Sequence, residues 1–100
     1  MQKTFVFEVD AELESITPIC IAGLEKDLAG MKEANEAQDF TFLAQVGHRL
    51  KGSCGGYNLY ALGEIGEKLE AAALATNQVE TQMYIDEFET ILSNMEIRYV

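Results

Sequence analysis

Apolar residues recur at spacings of three and four along most of the chain, the period of a helix with one buried face. Ile21, Leu24, Leu28 and Met31 form one such series, with Lys26 and Glu33 on the opposite, wet side. Thr17 followed by Pro18 suits the start of that helix, because proline fits the first helical position, and its end is expected near Asn35 or Ala37. Upstream, Asp10 is placed to cap a helical turn with Glu12 and Glu14 near its positive end, which predicts a short lead-in helix bending into the longer one. Asp39 caps the next helix, whose buried stripe is Leu43, Val46, Leu50 and Cys54. Gly55 and Gly56 weaken its end, and Asn58, tolerant of positive φ, precedes the series Leu59, Leu62, Ile65, Leu69 and Ala73. Asn77 followed by Glu80 resembles another cap, after which Ile85, Phe88, Leu92 and Met95 carry a final helix toward the end of the chain. Short connections between long helices predict an all-α fold, an antiparallel four-helix bundle with a short additional N-terminal helix.

The first residues follow another rhythm. Phe5, Phe7 and Val9 alternate with Val6 and Glu8, which suits a strand or an extended arm. One strand alone has no partner, so residues 1–9 are expected to form an arm that packs its aromatics on the bundle.

With 100 residues, 48% of them apolar, one proline and eight glycines, the chain is expected to form a single domain, 1–100, around one core. Seven Lys and Arg against seventeen Asp and Glu give a formal net charge of -10. That charge repels phosphate backbones and anionic lipid, which argues against nucleic acid and membrane surfaces as partners. The apolar stretches are short, and Met1 to Asp10 lacks the pattern of a signal peptide, so the cytoplasm is the expected location and a monomer the expected state. Cys20 and Cys54 are too few for a disulfide framework and are not spaced as a zinc site, so both read as free thiols.

His48, the only histidine, lies at about 160° from both Val46 and Leu50 around the helix axis and so faces away from the core. Lys51 and Gly52 fall roughly 60° and 40° to either side of it, on the same exposed patch. An exposed neutral imidazole is a nucleophile at neutral pH without a dedicated base. Lys51 brings a flexible ammonium that balances the charge of incoming phosphoryl oxygens, and Gly52 leaves room for a partner over the ring. Gly47 relieves crowding too, at a cost in helix stability of up to about 1 kcal/mol relative to alanine. A solvated histidine, a solvated lysine and a packing glycine are the ordinary explanations for each residue singly; none explains why they share one face.

The run His48-Arg49-Leu50-Lys51-Gly52-Ser53-Cys54-Gly55-Gly56-Tyr57, continued by Leu62 and by Leu69-Glu70, resembles the signature of histidine-containing phosphotransfer (HPt) domains. The likeness extends more weakly over the rest of the chain, and it implies a four-helix bundle, often with a short extra helix at the start. It implies that His48 is the phosphoacceptor, Lys51 its electrostatic support and Gly52 the residue that keeps the docking face clear; Arg49, Gly55 and Lys68 are expected beside them in the surface that meets a partner. Response-regulator receiver domains and a hybrid histidine kinase are the implied partners. No cofactor is expected on this chain, and Mg2+ is expected on the partner receiver. Many members carry glycine where this chain has Asn58, a residue that tolerates the same left-handed turn.

Other classes fit less well. Lys51-Gly52-Ser53 has the wrong order for a phosphate-binding loop, and Cys54 points about 120° away from His48, too far for a thiol–imidazole pair. The chain is too short to add a nucleotide-binding kinase domain, so no autonomous ATP-dependent kinase activity is expected. A helical module that docks a receiver without carrying phosphate is the alternative reading.

Overall fold

The four long amphipathic stretches are helices in the computed structural model, which describes residues 3–100. They are α1 (Thr17–Glu36), α2 (Phe40–Gly56), α3 (Tyr60–Leu74) and α4 (Gln78–Ser93). Asp39 and Asn77 cap α2 and α4, accepting hydrogen bonds from the N–H groups of Phe42 and Glu80, each at 3.1 Å. The short links 37–39, 57–59 and 75–77 turn successive helices antiparallel, and α1 packs on α4 to close the bundle. The stripes read from the sequence meet inside: Leu24 and Met31 of α1, Leu43, Val46, Leu50 and Cys54 of α2, Leu62, Ile65 and Leu69 of α3, and Ile85 and Phe88 of α4 are all buried. Where α1 ends against the start of α4, the buried Asn35 donates to Gln82 Oε1 at 2.9 Å and accepts from the buried Thr81 hydroxyl. Each polar group there is satisfied.

Two predictions are corrected. The short N-terminal helix is a single 3-10 turn, Ala11–Leu13, with Asp10 accepting from the Glu12 N–H at 2.9 Å. Too few residues lie between the tether of Ala11, whose N–H donates to the Val100 carbonyl at 3.0 Å, and Pro18 to offset the cost of nucleating a helix. Thr17 does begin α1, with Pro18 in the first turn. Its buried hydroxyl donates back to the Leu13 carbonyl at 2.7 Å, locking the 3-10 turn onto the helix start.

The second correction concerns both ends of the chain. The final helix stops at Ser93, and Met95–Tyr99 is a strand, β2, paired in parallel with β1 (Phe5–Val9). The register runs from Phe5 opposite Met95 to Val9 opposite Tyr99. Residues 5–9 are therefore not an unpaired arm; residues 1 and 2 of the predicted arm lie outside the described residues. Phe7 and Val9 point into the core, while Val6 and Glu8 face outward, as the alternation predicted. Met95 continued the helical spacing of α4, which hid the strand, whereas the alternation of Glu96, Ile97 and Arg98 becomes meaningful only beside β1.

Candidate functional site

The pair α2 and α3 builds the site, and glycine sets their separation. A Cβ on Gly47 would stand 2.5 Å from the Gly66 carbonyl oxygen and 2.8 Å from the Glu70 nitrogen. One on Gly66 would stand 2.8 Å from the Gly47 carbonyl oxygen and 2.9 Å from Leu50 Cβ. The two backbones thus meet where any side chain would force them apart. Gly47 does not relieve crowding on the exposed face; it is buried, and it admits α3.

That close approach brings carboxylates of α3 to the exposed face of α2. The His48 side chain is 75% exposed, and its Nδ1 lies 3.1 Å from Oε2 of the more buried Glu70. One turn on, Lys51 Nζ lies 3.4 Å from Glu67 Oε1, with both side chains more than half exposed. Gly52 is exposed, and a Cβ there would meet no neighbouring atom within 4 Å, so the space beside the imidazole is open. A shallow hollow next to the ring is lined by Ala44, Gln45, His48 and Glu70.

The remaining sequence-predicted positions are less concentrated. Arg49 turns toward α1 and binds Asp27 with two nitrogens, at 2.8 and 3.1 Å, a bond that raises its pKa further above the ordinary arginine value. Gly55 is half-buried near the end of α2 with open space beyond its Cα, and Lys68 is exposed on α3. Asn58 takes φ 59°, the left-handed conformation expected of it, and its amide reaches the Glu8 carbonyl at 3.3 Å.

The family model described as "Hpt domain" matches residues 4–97. The chain belongs to the Hpt domain family. No match was found among curated proteins or among solved structures. The Hpt match covers the four helices, all of β1 and the first three residues of β2, Met95 to Ile97.

Glu67, Asp27, Gly63 and Gly66 of this Hpt domain carried no role in the sequence reading, and Glu70 entered only as part of the Leu69-Glu70 pair. For the α3 residues a signal was present: Gly63 and Gly66, then Glu67 and Glu70, each repeat at a spacing of three. Both cysteines are free. Burial pushes the Cys54 thiol up to about 11, and burial followed by the charge of Asp27 raises that of Cys20, so neither is poised as a thiolate nucleophile. Among the described residues no group of three or more His, Cys, Asp or Glu is arranged to hold a metal ion. No described helix is long and apolar enough to cross a membrane.

Proposed function

We propose that this Hpt domain is a phosphorelay intermediate, taking a phosphoryl group on His48 from the aspartyl phosphate of one receiver domain and passing it to the aspartate of another. The observation that carries the reading is the exposed imidazole with Nδ1 held 3.1 Å from Glu70 Oε2. A carboxylate in that position favours the tautomer with hydrogen on Nδ1 and leaves the Nε2 lone pair for attack. As the Nε2–P bond forms, the acyl-phosphate O–P bond of the receiver breaks, and its electron pair leaves with the aspartate carboxylate. The ring gains positive charge, which Glu70 balances while Nδ1 keeps its proton. That charged ring is the better leaving group for onward transfer, by the same steps in reverse.

Little covalent assistance is needed in a loose phosphoryl transition state, so positioning and charge dominate. Lys51 supplies the charge on this side, and Mg2+ supplies it on the receiver. Gly52 leaves the approach clear, with Arg49, Gly55 and Lys68 at the margins of the docking surface. A hybrid histidine kinase is the source of phosphoryl groups upstream, and a cytoplasmic monomer is the form that suits the task.

The test is incubation with a receiver domain charged by acetyl phosphate and Mg2+. The wild type should acquire an acid-labile phosphoryl label and His48→Gln none. Equal labelling of the two, or an unlabelled wild type across a panel of receivers, would overturn the assignment.

A further inference from the structure

The two cations that follow His48 on α2, Arg49 and Lys51, are already paired. Arg49, next to the histidine in sequence, is held in a two-pronged pair by Asp27 of α1. Lys51 is paired with Glu67 at 3.4 Å, and both side chains lie in water, where such a pair is weak and readily exchanged. A phosphoryl group on His48, one helical turn before Lys51, would present about two negative charges to the same ammonium, against one on the carboxylate. Glu67 and the phosphoryl group therefore compete for one cation. Arg49 cannot substitute without abandoning Asp27.

We propose that Glu67 is a positioning residue that acts through Lys51, withholding part of its charge from phosphohistidine and so keeping the phosphoryl group at a high transfer potential. This rests on the phosphoryl-carrying role proposed for His48. Weak competition of this kind suits an intermediate, which must not become a sink: each stabilising contact to the phosphoryl group would also hold it back from the next aspartate. Glu70 differs in kind, because it touches the imidazole itself.

Wild-type protein and Glu67→Gln, one of them carrying an affinity tag, are mixed with a catalytic amount of a receiver domain, a limiting amount of phosphoryl label and Mg2+. At equilibrium the receiver only shuttles the label, so the ratio of label on the two proteins reads their relative phosphohistidine stability. Glu67→Gln should hold about two- to fivefold more label, the size expected of an exposed ion pair, and the excess should shrink as salt is raised. The same comparison in a Lys51→Ala background should give a ratio of one. Equal label on wild type and Glu67→Gln would overturn the proposal, and so would an excess that survives loss of Lys51, which would mean direct repulsion by Glu67. A wild type that takes no label at all would instead strike the role assigned to His48.

Discussion

A methyl group added at Gly47 would meet the Gly66 carbonyl oxygen at 2.5 Å, whereas at Gly52 it would meet no neighbouring atom within 4 Å. The two glycines lie in the same helix and answer to different demands. Gly47→Ala should therefore cost about 1–3 kcal/mol, read from urea denaturation, as α2 and α3 are forced apart. It should also slow labelling, because the separation carries Glu70 away from His48. Gly52→Ala should stabilise α2 by up to about 1 kcal/mol while slowing transfer from a receiver, since the methyl group fills space that a docking partner needs. A Gly52→Ala protein that transfers at the wild-type rate would show that this space is not used. The exposure of His48 was legible in the sequence because the stripe Leu43, Val46 and Leu50 fixes the opposite face of the same helix. Its carboxylate neighbour was not, because Glu70 reaches it, as Glu67 reaches Lys51, across a helix pair whose separation depends on Gly47 and Gly66.

At the scale of elements, the three links between helices share one backbone solution. Gln38, Asn58 and Thr76 take φ values of 55°, 59° and 52°, and the residue after each donates its N–H to a carbonyl five positions back: Asp39 to Ala34, Leu59 to Cys54, Asn77 to Ala72. These bonds satisfy carbonyls at the helix ends that would otherwise lack partners. Glycine is the usual residue for that conformation, and none of the eight glycines occupies it among the described residues. Thr76, β-branched, is the least suited of the three. Thr76→Gly should raise stability by about 0.5–1 kcal/mol in urea, the relief of left-handed strain less the added freedom of the unfolded chain. A lower midpoint would mean that the bond from its hydroxyl to the Ala75 carbonyl outweighs that strain. The caps Asp39 and Asn77 were readable because each acts within its own turn. The bond of the Thr17 hydroxyl was not, since it serves the preceding turn instead of the helix that Thr17 begins.

Across the whole molecule, the contact least visible in the sequence joins its two ends. Strand pairing between Phe5–Val9 and Met95–Tyr99 is not a local property, and Met95 satisfied the helical spacing as well as it does the strand. The helices, by contrast, followed from periods confined to each. A chain ending at Asn94 should keep its helical circular dichroism but lose roughly 3 kcal/mol or more of stability, because Phe7 and Val9 lose the cover of β2. An unchanged urea midpoint would show that the ladder contributes nothing to the bundle. The parallel sense of that ladder also fixes how the protein responds to force. Tension applied at residues 3 and 100 draws β1 toward Phe5 and β2 toward Tyr99, in opposite directions along paired strands. The rungs, with the flanking bonds from Phe5 to Asn94 and from Val100 to Val9, are then loaded together in shear instead of being peeled apart one by one. The ladder acts as a mechanical clamp, and the helices carrying His48 feel no stretching load until it yields.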